Sequence, residues 1–318
     1  MKGKLIMSNL KEDKEEIKVS VFIVAYNQED YIKEALDGVL NQKTTFQYEI
    51  LVHDDASTDN TGKIIRDYEN RYPDRIIAFY EETNSYSHYW DFGNRMFQTA
   101  SGIYAAFCDG DDYWTDENKL QMQFDFMESH PEYSLCVHNS LVLNAKTGES
   151  GLYANYSTGE LPQGYVIERA GAVFHTSSHF FRFQEWLRNH DSTDTYDLAR
   201  VCYLASEGKI MYFDKCMSVY RIHTKESWTE NITNKYNLIP DFINRLSFYK
   251  KFDEDTDFRW HENVSKISSG IEYQMFYEMR AIYRNLSFRR RMNLWLAWTV
   301  DCFGLYPLRT WIKTHIGI

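Results

Sequence analysis

Residues Val19–Ala25 (VSVFIVA) form an unbroken, largely β-branched apolar run. A strand with one wet face alternates apolar and polar residues, so a continuous run requires a strand covered on both faces, as in a parallel sheet. The residues that follow supply the covering layers. Ile32, Ala35, Leu36, Val39 and Leu40 recur at helical spacing, and Asn27 stands where it can cap that helix. Tyr48–Val52 is a second strand, ending in His53-Asp54-Asp55. Ser57 or Thr58 can cap a second helix, which runs to about Tyr72, before Pro73. Arg75–Tyr80 is a third strand. A helix near Asp91–Ala100 leads through Gly102 into a fourth, Ile103–Cys108. A helix from about Asp116 to Ser129 and a strand at Tyr133–His138 continue the pattern. Such alternation predicts a doubly wound α/β sheet. Ligands of these sheets sit at the carboxyl ends of the strands. Tyr26, Asp54, Asp55 and the run Asp109 to Asp112 all fall there.

The second half is less regular. Ala199–Glu207 reads as a helix, and Lys209–Phe213 and Met217–Ile222 as short strands. From about Asn234 the pattern is helical to the end. Ile239, Phe242, Ile243, Leu246 and Tyr249 define one apolar face, and Ile267, Ile271, Met275, Met279 and Ile282 another. The division expected is a charged tail over residues 1–18, a sheet domain over 19–230 and a helical region over 231–318.

Composition narrows the partners. With 43% hydrophobic residues the chain can bury a core. A net charge of −11 speaks against nucleic acid, whose phosphates need a basic surface. It does not speak against a nucleotide, because a divalent cation can mediate that contact. The five cysteines include no C-x-x-C and read as reduced core thiols of a cytoplasmic protein. The leader has no signal-peptide apolar region. No apolar run approaches the roughly 20 residues that cross a bilayer.

Asp109-Gly110-Asp111-Asp112 carries the chemistry. Three carboxylates on four residues repel one another. A solvated turn tolerates this, but here the run follows a buried strand and precedes the large rings of Tyr113 and Trp114. A cation offsets the repulsion, and carboxylate oxygens suit Mg²⁺ or Mn²⁺. The run has companions: Tyr26-Asn27 after the first strand, Asp54-Asp55-Ala56-Ser57-Thr58-Asp59-Asn60-Thr61 after the second, and Ala100-Ser101-Gly102-Ile103-Tyr104 before the acids.

Together these motifs resemble the family 2 glycosyltransferases, over about Val19 to Ser227. The string Gly110 to Asp116, with Lys119-Leu120 and Gln123, resembles a bacterial subgroup that builds cell-surface polysaccharides. The resemblance implies a GT-A fold, Rossmann-like, with a helical C-terminal extension. It implies transfer from a nucleotide-sugar, a UDP-sugar above all, to a hydroxyl of a glycan or lipid-linked glycan. Tyr26 would stack on the base, and Asp55, with Asp54, would bond its edge. Asp111 would meet metal and pyrophosphate, with Asp109 or Asp112 reaching ribose or metal. The chain departs from many relatives in reading Gly93-Asn94-Arg95 where they carry Arg-Asn, which leaves Asn94 as the nucleotide contact and puts Arg95 in doubt.

An inverting transfer also needs a base on the acceptor side. Asp191, Asp194 and Asp197 are available. The family places an acid at the start of a helix ending L-A-x-x-G-K-I, and Leu204 to Ile210 matches that ending. Counting back selects Asp197, with Asp194 second. A helix N-terminus holds a carboxylate ionised, although a plain first-turn capping acid looks the same.

Tyr220-Arg221-Ile222-His223 resembles the Y-R-x-H that closes the core of many relatives. Imidazole can complete an oxygen-rich metal site, and the Arg fork grips phosphate. His175-Thr176-Ser177-Ser178, with Arg182, resembles the acceptor-side segment. Arg289-Arg290-Arg291 and the Trp- and Leu-rich residues to Lys313 suit either a segment lying on an anionic leaflet or a helix that pairs two copies in a homodimer. Two rival functions remain: a nucleotidyltransferase or phosphatase using the acids, and a nucleotide-sugar-binding module without catalysis. Phosphoryl enzymes place a D-x-D after the first strand, not the fourth, and neither G-x-x-x-x-G-K-[ST] nor G-x-G-x-x-G occurs.

Overall fold

The computed structural model describes residues 16–84, 95–169, 172–184, 186, 197–224 and 238–285. The strands are β1 (Ile17–Ala25), β2 (Gln47–Asp54), β3 (Ile76–Tyr80), β4 (Tyr104–Asp109), β5 (Tyr113–Trp114), β6 (Tyr133–Asn144), β7 (Ser150–Leu152), β8 (Gly159–Leu161), β9 (Phe180–Arg182) and β10 (Lys209–Ile222). The helices are α1 (Ile32–Leu40), α2 (Thr61–Arg71), α3 (Lys119–Ser129), α4 (Gln163–Glu168), α5 (Asp197–Glu207), α6 (Leu238–Asp255) and α7 (His261–Asn285). A short helical turn also spans 95–99.

The described strands form one ten-stranded sheet in the order β3-β2-β1-β4-β9-β6-β10-β5, with β7 on β6 and β8 on β10. β3, β2, β1 and β4 run parallel. β9 lies antiparallel between β4 and β6, and β10 returns parallel to β6. From β1 the chain winds to β2 and β3 on one side, then crosses to β4 on the other. That reversal opens a crevice between the carboxyl ends of β1 and β4.

Alternation along β1 divides the core in two. Val19, Val21, Ile23 and Ala25 face Ile32, Ala35, Leu36 and Val39 of α1, with Ile65 and Tyr68 of α2 and Leu120 of α3. Phe22 faces the other way, with Phe97 edge-on at 5.0 Å and Phe107 stacked at 5.3 Å. That second cluster takes in Cys202 and Leu204 of α5, Phe248 and Phe252 of α6 and Ile271 of α7. The helices beyond residue 238 therefore share the sheet's own core.

Several local expectations resolve differently. β1 begins at Ile17, inside the stretch expected to be charged leader. Lys209–Ile222 is one strand rather than two. Its pairing to β6 slips between Phe213 and Ser218, and this bulge breaks the alternation that would have marked it as continuous. Asn27 does not cap α1, and neither Ser57 nor Thr58 caps α2. α1 starts at Ile32 and α2 at Thr61. The three side chains are spent on one another, as described below. The helix expected near Asp91–Ala100 is seen only over 95–99; residues 85–94, and the basic-aromatic stretch from Arg289, lie outside the described residues. No helix among the described residues is long and apolar enough to cross a membrane.

Lys119 is fully buried in α3. Its ammonium donates to Gln123 Oε1 at 2.8 Å and lies 4.0 Å from the centre of the Trp114 ring. Burial pushes its pKa down to about 7, whereas an unfolded lysine keeps its proton to about 10.4. Between these values the unfolded chain binds more protons, so stability rises with pH across that window. Lys119→Met should lose this dependence. The melting-temperature difference between variant and wild type should move in the wild type's favour from pH 7 to pH 10; a difference flat with pH contradicts the buried charge.

Candidate active site

The loops after β1 and β2 lock together at the crevice. Asn27 takes a left-handed conformation (φ 51°), as does Ala56 (φ 60°). The Asn27 N–H donates to Ser57 Oγ at 2.9 Å, and the Thr58 N–H donates to Asn27 Oδ1 at 2.8 Å. Asp55 N–H donates to the Ala25 carbonyl at 3.0 Å. Asp54 Oδ1 accepts from Ser57 N–H at 3.2 Å. The first turn of α2 presses on the same carboxylate, for a Cβ on Gly62 would lie 2.4 Å from Asp54 Oδ2. Asp54 thus shapes the turn; Asp55 beside it is buried, at 4% exposed, and Tyr26 is half-buried at the end of β1.

The acidic loop leaves β4 beside them. Gly110 N–H donates to the Val24 carbonyl at 2.9 Å. A Cβ there would lie 2.2 Å from Gln28 Oε1 and 2.9 Å from Ala25 Cβ, so only glycine lets the loop lie this close to β1. The end of β10 ties the loop down. Arg221 N–H donates to Asp112 Oδ1 at 2.8 Å, and the Arg221 guanidinium donates to the Asp111 carbonyl at 2.7 Å. That guanidinium also pairs with Glu34 and lies between the rings of Tyr31 (4.9 Å) and Tyr113 (4.5 Å). Its contacts here hold the loop. Thr224 Oγ1 donates to Asp111 Oδ2 at 2.7 Å, which brings its neighbour His223 (φ 61°) to the same place.

Burial raises all three acids. It drives Asp109 up to about 8, with further repulsion from Asp197 and Asp111, against the pull of Arg200. Burial and the two other acids push Asp112 well above the carboxylate range. Burial also raises Asp111, opposed by the Thr224 hydrogen bond. The loop is a place where positive charge is needed. Ligand atoms of Asp109, Asp112 and His175 lie within 4.8 Å of one another, so the residues present fit a cation.

The opposite wall comes from the second half of the chain. Asp197 opens α5 and accepts from Thr176 Oγ1 at 2.7 Å. It pairs with Arg200 one turn on, a residue only 1% exposed whose guanidinium lies 4.1 Å from the Phe107 ring centre. Burial alone would raise the Asp197 carboxyl; Arg200 and His179 outweigh it and hold it below its ordinary value. Asp197 is therefore ionised, yet its side chain stays 47% exposed. His175 stacks on Tyr220 at 3.9 Å, and burial drives it down to about 4, leaving the ring neutral.

The structure thus gathers Tyr26, Asp55, Asp109, Asp111, Asp112, Arg221, His223 and Asp197 around one crevice, with Asp54 beneath it. Arg182 stands apart: its guanidinium donates to the Tyr133 carbonyl at 2.6 Å and to that of Met127. Asn94, Asp191 and Asp194 lie outside the described residues. Sequence reasoning overlooked Arg200, Thr224 and Glu34. Arg200 had a signal, three residues after Asp197 and hence on the same helical face. Glu34 had none, being joined to Arg221 only by the fold.

The mixed sheet, the crevice at its switch point and the acidic loop define a GT-A fold. The family model described as glycosyl transferase family 2 matches residues 20–189, and the chain belongs to that family. An uncharacterized protein of Mycobacterium tuberculosis (strain H37Rv) is 33% identical over 222 residues, 68% of this chain and 62% of that protein. The match thus spans less than two thirds of that relative. The UDP-Glc:alpha-D-GlcNAc-diphosphoundecaprenol beta-1,3-glucosyltransferase WfaP of Escherichia coli is 37% identical over 111 residues, 35% of this chain and 41% of that protein. The crystal structure of S. aureus TarS 1-349 superposes with a TM-score of 0.62 at 17% identity, over 88% of this chain and 78% of that one. TarS has also been crystallised with UDP and with UDP-GlcNAc.

Proposed function

We propose that this protein is an inverting, divalent-cation-dependent glycosyltransferase of surface polysaccharide synthesis. It moves a sugar from a nucleotide-sugar, preferentially a UDP-sugar, to a hydroxyl of a glycan or lipid-linked glycan. One observation carries this. Asp197, from the second half of the chain, accepts from Thr176 at 2.7 Å, next to His175, whose ring lies 3.4 Å from Asp112 of the acidic loop. An ionised, half-exposed acid facing a cation-demanding loop is what a single displacement requires: leaving group on one side, proton acceptor on the other.

In this scheme Tyr26 stacks on the base and Asp55 accepts its imide N–H. Asp109 and Asp111 hold the cation and the diphosphate side, with Asp112, Arg221 and His223 closing the loop. Mn²⁺ or Mg²⁺ there supplies charge compensation for the departing diphosphate, worth several kcal/mol. Asp197 takes the acceptor hydroxyl proton while the oxygen bonds to the anomeric carbon. The bond from that carbon to the phosphate oxygen breaks in the same step, and configuration inverts. Reaching a lipid-linked glycan would place the basic-aromatic end of the chain against an anionic leaflet.

WfaP, named for a UDP-Glc donor, and TarS, crystallised with UDP, support the uridine reading. Calorimetry should therefore show UDP binding about tenfold tighter than GDP at equal Mn²⁺, or ~1.4 kcal/mol. GDP bound equally or more tightly would overturn the uridine assignment and leave the family assignment standing.

A further inference from the structure

We propose that Lys119, buried in α3, is a positioning residue for the general base Asp197, acting through the short helical turn Thr176–Ser178. The inference rests on the assignment of Asp197 as base and names what holds that base in place. Thr176 Oγ1 donates to Asp197 Oδ2 at 2.7 Å, so the seat of the turn decides where this carboxylate oxygen points. Three residues of such a helix cannot fix their own place. The next two carbonyls of the turn are held from outside. Trp114 Nε1 donates to the Ser177 carbonyl at 3.2 Å, and Gln123 Nε2 donates to the Ser178 carbonyl at 2.9 Å. Ser177 and Ser178 are fully buried, where a carbonyl without a donor costs free energy.

Lys119 joins these two donors. Its ammonium donates to Gln123 Oε1 at 2.8 Å and lies 4.0 Å from the centre of the Trp114 ring. An amide can present either end, but a lysine only donates. Lys119 therefore takes the oxygen end and turns Gln123 Nε2 to its two acceptors, the Ser178 carbonyl and the Cys136 carbonyl at 3.1 Å. The charge over the Trp114 ring favours that ring's seat as well. Trp114 comes two residues after Asp112, so the same ammonium sets the exit of the acidic loop against the wall that carries the base.

Packing alone does not ask for lysine here. Burying an ammonium costs free energy, and methionine fills a similar space without that cost. What lysine supplies, and methionine does not, is the orientation of Gln123 and the hold on Trp114. The line of action runs from Lys119 to Gln123 and Trp114, from these to the Ser177 and Ser178 carbonyls, and through Thr176 to Asp197. A displacement of about 1 Å at a reacting group can cost about 10²-fold in rate, so slack anywhere on this line is felt at the base.

The test uses the full chain and takes two readings. The first needs no substrate: in the crystal structure of Lys119→Met the Thr176 hydroxyl should lie out of hydrogen-bond reach of Asp197, and an unchanged contact overturns the inference. The second is a double-mutant cycle on UDP release from UDP-glucose with Mn²⁺, water standing in for the acceptor. Lys119→Met and Thr176→Val should each slow release about tenfold, and the double variant should also be slowed about tenfold, because both changes break one line. A lysine that only supports the fold would multiply with Thr176→Val to about 100-fold, and that result overturns the inference. Thr176→Ser keeps the hydroxyl and should keep most of the rate. Calorimetric UDP affinity should stay unchanged in all of them. Gln123→Met, which removes the donor to Ser178 and leaves the lysine, should behave as Lys119→Met in both readings and decides the matter if Lys119→Met does not fold. Slow release in Thr176→Val and Asp197→Asn, with normal release in Lys119→Met and Gln123→Met, would overturn the inference and leave the base. Normal release in Asp197→Asn would remove the base and the inference together.

Discussion

Asp109→Asn should lower turnover by about 10³ or more, a loss near 4 kcal/mol in transition-state stabilisation, and should weaken Mn²⁺ binding with it. Asp109 is, with Asp111, one of the two acids proposed to hold the cation. It ends β4, repelled by Asp111 of its own loop and by Asp197 of the opposite wall. Asparagine keeps the shape and removes that repulsion. Melting temperature measured without metal should therefore hold or increase while activity disappears. Excess EDTA should silence the wild type in the same assay. Activity surviving in EDTA, or in Asp109→Asn, would remove the cation from the reaction. A collapse in stability would make Asp109 a folding residue instead.

The parts legible from the sequence share one property: their evidence is local. Val19–Ala25 had to be a doubly covered strand because nothing polar interrupts it. Asp109 to Asp112 stood out as a candidate site because acids directly follow buried β4. Asp197 could be placed from the helix ending behind it. Asn27, Ser57 and Thr58 were misplaced as caps for a physical reason. Short polar side chains satisfy any nearby N–H, and nothing local says whether that N–H belongs to their own helix or to the next loop. Here the loops won, and the bonds between Asn27 and Ser57-Thr58 hold the rim of the crevice. β10 was split for a related reason: Asp214 and Lys215 sit in a bulge, where the strand's period of two fails. His175 is the extreme case. Its ring meets Tyr220 and Asp112, both far from it along the chain, only through the fold.

That non-local wall also explains why Arg221 and Arg200 are both nearly buried. Each carries a positive charge to the back of a carboxylate group, Arg221 behind the acidic loop and Arg200 behind Asp197. Removing either would leave buried charge uncompensated, commonly a cost of about 3–5 kcal/mol. The two differ in what they leave exposed. Arg221 ties down the backbone of Asp111 and closes the loop. Arg200 uses one face of Asp197 and leaves the carboxylate about half open to the crevice.

Asp197→Asn should cut turnover by about 10² or more and leave donor affinity nearly unchanged. The carboxylate is held by Thr176 on one oxygen and Arg200 on the other, at the positive end of α5. These contacts fix its aim and keep it ionised; they also lower its basicity, so it takes the proton only as the acceptor oxygen bonds to carbon and turns acidic. A carboxyl depressed in this way stays charged to below the ordinary carboxylate range, so no loss of rate through Asp197 protonation is expected between pH 5 and pH 8. Asn preserves shape and one acceptor oxygen but cannot take up the proton. Calorimetric titration of UDP with Mn²⁺ should read the same in variant and wild type, while product formation falls. Loss of UDP binding would make Asp197 a donor-site or folding residue. Near-normal turnover would pass the role to Asp194 or Asp191. A product that keeps the donor's anomeric configuration would end the single-displacement mechanism, because a retained configuration needs two inversions or a front-face attack, and neither uses Asp197 as a lone base.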